Sequence, residues 1–183
     1  MDSENVYGFL ESRKTLLDGV CISGGEPTLS KGLVSLCEKI KQMGYPVKLD
    51  TNGSQPQVIQ KLLDEALVDY IAMDIKTDPF HYSMVIQKDH KPDLLIKSIR
   101  TIMESAPDYE FRTTCVRPIV DEEIIENIAS TIEGAKRYVL QPFHEGEVLH
   151  PEFFKDPDTR YGADQLMALQ AIAEPWVNEC VIR

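Results

Sequence analysis

Six short apolar runs recur along the chain with room for one helix between successive runs, and this alternation constrains the fold more than any other property of the sequence. Asp18 to Ser23, Pro46 to Thr51, Asp69 to Ile75, Tyr109 to Val116, Arg137 to Pro142 and Val177 to Ile182 are short, largely apolar and mostly bounded by turn or polar residues, and read as strands. Helical periodicity fills the intervals. Leu33, Leu36, Cys37, Ile40 and Met43 repeat at the 3.6 period and stop at Gly44; Leu95, Ile99, Ile102 and Met103 repeat likewise. Ile124, Ile125, Ile128, Ala129 and Ile132 do so behind the cap Asp121, and Val6, Phe9, Leu10, Arg13 and Leu17 predict one more helix, about Glu4 to Leu16, before the first strand. Strands that alternate with helices pair in parallel, because each helix carries the chain back to the starting end of the sheet. The expected class is α/β. Spacing alone leaves an open sheet, a partial barrel and a barrel without its first strand equivalent.

A chain of 183 residues buries one sizeable core, so residues 1–183 are expected to form a single domain. The Pro-, Asp- and Glu-rich segment 143–162 is expected as a long loop at the C-terminal face of the strands. A net charge of -11, with Lys and Arg scattered, argues against nucleic acid as a partner. No apolar run approaches the roughly 20 residues that cross a bilayer, and the charged N-terminus has no signal-peptide core, so a cytoplasmic protein without membrane contact is expected. Cys21, Cys37, Cys115 and Cys180 lie too far apart for a CxxC-type ligand set and are expected as buried free thiols.

Strands of a parallel sheet are normally apolar on both faces, so polar side chains near their C-terminal ends call for a reason. In Ile71-Ala72-Met73-Asp74-Ile75-Lys76 the alternation puts Ile71, Met73 and Ile75 on one side and Ala72, Asp74 and Lys76 on the other. Lys48 and Asp50 share a face by the same parity, as do Arg112 with Thr114 and Val139 with Gln141. Ser23, Asp50, Asp74, Lys76, Arg112 and Gln141 are therefore expected at one mouth, where α/β folds bind ligands. The competing expectation is a structural ion-pair network of Asp50, Asp74, Lys76 and Arg112. After the first strand, Gly24-Gly25 lets backbone approach a ligand; Glu26 offers acceptors to an ammonium group, and Pro27 fixes the chain. By itself such a pair is also a plain tight turn, and Asp50-Thr51-Asn52-Gly53 is readable as a turn that ends a strand. Asp50 and Asp74, with Thr51, are candidates for a hard cation. Of the histidines, His81, His90 and His150 read as solvated loop residues, and His144 is kept as a candidate.

Gly24-Gly25-Glu26-Pro27, Leu49-Asp50-Thr51-Asn52-Gly53, Asp69 to Lys76, Phe111-Arg112-Thr113-Thr114 and Tyr138-Val139-Leu140-Gln141 stand in an order that resembles the radical S-adenosylmethionine activating enzymes. The resemblance is strongest to the anaerobic ribonucleoside-triphosphate reductase activating proteins, relatives of the pyruvate formate-lyase activating enzymes, and runs from about Asp18 to Gln141. It implies a partial (βα)6 TIM-like barrel that holds a [4Fe-4S] cluster and S-adenosylmethionine. The implied reaction is reductive cleavage to a 5'-deoxyadenosyl radical, which takes hydrogen from a glycine of the partner reductase. By the same resemblance Gly24, Gly25 and Glu26, beside Pro27 and Asn52, receive the methionyl amino group. Lys76 with Arg112 faces its carboxylate, Asp50, Thr51 and Asp74 hold a cation beside it, and Gln141 and His144 line the adenosine or partner side.

One departure is plain. The family holds its cluster with CxxxCxxC after the first strand, and residues Met1 to Leu17 contain no cysteine. The expectation is a chain truncated at the N-terminus, with first strand and cluster loop missing, that cannot assemble the cluster; the four dispersed cysteines do not replace it. Strand 18–23 then becomes an edge and favours self-association. Two other readings stand beside this one: a non-catalytic S-adenosylmethionine-binding or interaction module, and a barrel isomerase or aldolase with Lys76 as Schiff base.

Overall fold

The structure is a computed structural model that describes residues 3–79, 92–117, 119–144 and 159–183. His81, His90, His150 and the part of the expected loop from 145 to 158 lie outside them. Six strands alternate with helices: α1 (Ser3–Glu11), β1 (Val20–Ile22), α2 (Leu33–Gln42), β2 (Val47–Thr51), α3 (Pro56–Asp64), β3 (Tyr70–Asp74), α4 (Pro92–Ser105), β4 (Tyr109–Cys115), α5 (Glu122–Thr131), β5 (Tyr138–Pro142), α6 (Ala163–Ala173) and β6 (Cys180–Ile182). The strands form an open sheet in the order β1-β2-β3-β4-β5-β6, and the β1/β2, β2/β3, β4/β5 and β5/β6 pairs are parallel. This is the expected α/β architecture, with every expected strand present and its ends trimmed. No helix among the described residues is long and apolar enough to cross a membrane.

The chain divides into two compact units, Met1–Met73 with Lys97–Tyr109, and Asp74–Ile96 with Glu110–Arg183. In the first, α2 buries Leu33, Cys37 and Ile40, spaced one and two turns apart, and α3 buries Ile59 and Leu62. Val47 and Leu49 of β2 and Ile71 and Met73 of β3 are likewise buried, each 0 % exposed. Each such side chain contributes about 1.5–3 kcal/mol of burial, so this apolar face fixes the strand register. Gly44, at φ 86, ends α2 where a Cβ would be strained. Lys41 in the last turn of α2 reaches both oxygens of Asp69 at 2.7 and 2.8 Å, and Asp69 Oδ2 also accepts the Val47 amide at 2.7 Å.

α1 ends at Glu11, short of the expected Leu16, and turns lead to β1. The carbonyl of Leu10, which a longer helix would bond to residue 14, accepts instead from Arg13 N and from the Tyr45 hydroxyl at 2.8 Å. Leu16 is left 76 % exposed.

In the second unit, α5 is capped as expected: the Asp121 side chain accepts from Ile124 N at 2.8 Å, and Ile125, Ile128 and Ala129 are buried. β4 alternates buried Phe111, Thr113 and Cys115 with the half-buried Arg112 and Thr114. Glu110, 1 % exposed, accepts two hydrogen bonds from Arg183 at 3.0 and 3.1 Å, which meets the demand of a buried carboxylate. Three of the four cysteines are buried as expected, but Cys21 is exposed, because its three-residue strand is a sheet edge whose residues are nowhere fully covered.

Candidate functional site

The loop after β1 and the turn after β2 are tied together by one carboxylate. Glu26 precedes the short 3-10 turn Pro27–Leu29, and its Oε1 accepts from Thr28 N at 3.1 Å and from the Thr28 hydroxyl. The same oxygen accepts from Thr51 Oγ1 at 2.7 Å, while Oε2 accepts from Asn52 N at 2.7 Å. Thr51, 4 % exposed, also accepts from Gly53 N at 3.1 Å, and Asn52 Oδ1 accepts from Ser54 N at 2.9 Å. The Asn52-Gly53 turn is completed by Ser98 of α4, whose hydroxyl donates to the Gly53 carbonyl at 2.6 Å.

This arrangement changes the reading of Glu26. An ionised carboxylate offers about four lone-pair sites, and here four protein donors converge on it. Its first task is therefore to staple the glycine loop to β2. The ligand surface falls to Gly24 and Gly25, which are exposed, stand at φ 94 and 50, and have no atom within 4 Å of where a Cβ would be. Only glycine adopts such successive positive φ values without strain, and the open space leaves the backbone approachable. Pro27 is buried beneath the loop. The tight-turn reading is thus correct for the backbone without removing its use as a cradle.

Also in this unit, Cys21, Lys48 and Tyr70 stand in register across β1, β2 and β3. Lys48 Nζ lies 3.5 Å from Asp50 Oδ1 and 5.6 Å from the centre of the Tyr70 ring. Lys48 and Asp50 therefore share a face, as strand parity requires.

The second unit holds the other polar cluster. Asp74 accepts from Arg112 Nε at 2.8 Å on Oδ1 and from Lys76 Nζ at 2.9 Å on Oδ2. Arg112 is 13 % exposed and Lys76 42 %. Lys76 and Arg112 thus share one carboxylate, and Lys76, the more exposed of the two, is the cation within reach of an anionic ligand group. The Asp74, Lys76 and Arg112 part of the expected ion-pair network is thus present. The same ion pair opposes the free amine that a Schiff-base Lys76 requires. Gln141 is half-buried in register with Thr114, and His144 is exposed two residues after β5.

Sequence reasoning missed Thr28 and Ser98. Thr28 was open to discovery as the donor two residues past a capping carboxylate. Ser98 was not, since its partner lies 45 residues away.

A family model described as the Radical SAM superfamily matches residues 4–131, more than half of the chain. The chain belongs to the radical SAM superfamily. A putative glycyl-radical enzyme activating enzyme of Methanocaldococcus jannaschii is 35% identical over 171 residues, covering 91% of this chain and 70% of that protein. A 7-carboxy-7-deazaguanine synthase of Thermococcus kodakarensis is 30% identical over 149 residues, covering 76% of this chain and 55% of its own length. Among solved structures, a domain of pyruvate-formate lyase-activating enzyme from Bacteroides vulgatus superposes with a TM-score of 0.72 at 19% identity, over 91% of this chain and 99% of that one. Streptococcus suis SuiB bound to S-adenosylmethionine does so with a TM-score of 0.73 at 14% identity, over 100% of this chain and 44% of that one. The two structures show the fold; the sequence relatives place this radical SAM protein close to the glycyl-radical activating enzymes.

The superfamily implies S-adenosylmethionine and a [4Fe-4S] cluster. In the first unit the open glycine backbone fits close approach by a ligand, and in the second the exposed side of Lys76 fits an anionic group. The cysteines do not fit a cluster. Among the described residues no three His, Cys, Asp or Glu group to hold a metal. Burial pushes the Cys37 thiol up to about 11 and those of Cys115 and Cys180 up to about 12. Buried thiols of this kind resist the deprotonation that iron ligation needs.

Proposed function

We propose that this radical SAM protein is the S-adenosylmethionine-binding part of a glycyl-radical activating enzyme whose partner is an anaerobic ribonucleoside-triphosphate reductase. The observation that carries the reading is the exposed Gly24-Gly25 backbone anchored through Glu26. Gly24 and Gly25, on the loop that Glu26 anchors and Pro27 and Asn52 shape, receive the methionyl amino group. Lys76 and Arg112 attract the carboxylate, with Asp74 holding both cations in place. Gln141 and His144 serve the adenosine or partner side; Asp50 and Thr51 are kept as candidate oxygen donors for a cation, whereas both Asp74 oxygens already accept from Lys76 and Arg112. Bound S-adenosylmethionine would supply the 5'-deoxyadenosyl radical only on one-electron reduction by a [4Fe-4S] cluster.

The cysteines present do not ligate the cluster in this proposal. Anaerobic reconstitution with iron and sulfide should leave the chain without a stoichiometric cluster and without 5'-deoxyadenosine; a full cluster with product would overturn that part. The dispersed cysteines also support the second reading, a non-catalytic S-adenosylmethionine-binding module. Titration calorimetry tests the binding claim that both share. S-adenosylmethionine should bind one to one, and Lys76→Ala should weaken it about tenfold, the scale of one charge-assisted contact. Decarboxylated S-adenosylmethionine, which lacks the carboxylate, should bind wild type and variant alike. Equal losses for both ligands would contradict the assignment of Lys76.

A further inference from the structure

We infer that Ser98 is a positioning residue for the glycine loop, acting through the turn after β2. Leu95, Ile99 and Ile102 form the buried stripe of α4, and Ser98 stands three residues after Leu95 and four before Ile102, where the pattern calls for another apolar side chain. It is 0 % exposed. A buried serine within a helix is costly, and its hydroxyl commonly bonds a carbonyl of the preceding turn. This one donates across to the Gly53 carbonyl at 2.6 Å.

The bond acts on the most permissive point of the turn. Gly53 stands at φ 74, and a glycine that precedes no rigid element samples both signs of φ. Within the turn, Asn52 Oδ1 holds the peptide unit after Gly53 by accepting from Ser54 N at 2.9 Å, and Ser98 holds the same unit from outside the turn. Ser98 holds the carbonyl, and the Gly53 amide donates to Thr51 Oγ1 at 3.1 Å. Thr51 in turn donates to Glu26 Oε1 at 2.7 Å, and the carboxylate carries the restraint to Thr28 N and Asn52 N. The restraint thus runs from the core stripe of α4 through the backbone of Gly53, and from its amide through hydrogen bonds to the loop that presents Gly24 and Gly25. Because the Thr51 hydroxyl accepts from the Gly53 amide and donates to Glu26, a turn loosened by loss of the Ser98 donor loosens that contact as well.

Hydrogen exchange of single amides tests this in the full chain. Ser98→Ala should raise exchange of the Thr28 and Asn52 amides about tenfold relative to the Cys37 and Ile40 amides of α2 in the same sample, the scale of one lost buried hydrogen bond. Ile102→Val, a cavity on the same helix stripe that leaves the hydroxyl in place, should not change that ratio. Ser98→Thr, which keeps the hydroxyl, should return the ratio toward wild type, and Ser98→Cys, of similar volume and weaker as a donor, serves if the alanine variant does not fold. An unchanged ratio in the alanine and cysteine variants, or the same rise in Ile102→Val, would overturn the inference. A second arm rests on the cofactor reading above: Ser98→Ala should weaken S-adenosylmethionine binding about tenfold and Ile102→Val should not. If wild type binds no S-adenosylmethionine, that reading fails, and the exchange ratio still decides the role of Ser98.

Discussion

At Glu26 a single side chain joins two segments that are 25 residues apart, and this role outranks the one its motif suggests. Glycine, glycine, glutamate and proline in sequence are legible as a ligand loop, because their backbone and acceptor chemistry is local. The donors that occupy Glu26 are only half legible: Thr28 is a neighbour, but Thr51 and Asn52 reach it through sheet pairing. Lys76 and Arg112 were legible through strand parity, which also gave Asp74 as their shared partner. The cysteines illustrate the limit of composition, since Cys21 sits in an apolar run and is nonetheless exposed. A thiol reagent at pH 8 should therefore label one cysteine rapidly in the folded chain and four in denaturant. Mass mapping should find the rapid label on Cys21; rapid labelling of Cys37, Cys115 or Cys180 would contradict their burial.

Among the elements, those with a clean period and a clear stop were readable. α2 with Gly44 and α5 with Asp121 follow their sequence signals closely. Two helices that periodicity did not single out are present as well. α3 had a usable signal, Pro56 at its first turn followed by Ile59 and Leu62. α6 had little, because apolar residues surround it: Leu166 and Leu169 are buried while Met167 between them is 53 % exposed. α1 was overextended because nothing local reveals that Tyr45 takes the Leu10 carbonyl. Among the described residues β1 pairs with β2 alone, which leaves its other side as a sheet edge. Such an edge templates pairing with another strand. Light scattering should show reversible self-association that grows with concentration, and a lysine in place of Cys21 should reduce it; a monomer at high concentration would count against the edge.

For the molecule as a whole, alternation of strand and helix patterns was enough to give the parallel order, since few topologies satisfy short crossovers on one sheet. The division into two compact units was not legible, because α4 changes allegiance at Lys97 with no break in its helical pattern. The buried thiols give the whole fold an alkaline limit. Below pH 9.0, their ordinary value, Cys37, Cys115 and Cys180 are protonated whether folded or not, and they add no pH dependence. Above it the unfolded chain releases these protons while the folded chain retains them up to about 11 for Cys37 and about 12 for the others. The folded state then binds more protons, so stability falls as pH rises, by about 1.4 kcal/mol per pH unit for each thiol. Urea unfolding at pH 8 and pH 10 should show that loss, and Cys115→Ala should remove its own share.

In the proposed function the Glu26-anchored glycine loop binds S-adenosylmethionine. Titration calorimetry of the wild-type chain against Gly24→Val, whose backbone has to leave φ 94, measures it most directly. Binding to wild type should be saturable and one to one, and should be lost in the variant while the fold, followed by circular dichroism, persists. No binding to wild type, or equal binding to both, would contradict it.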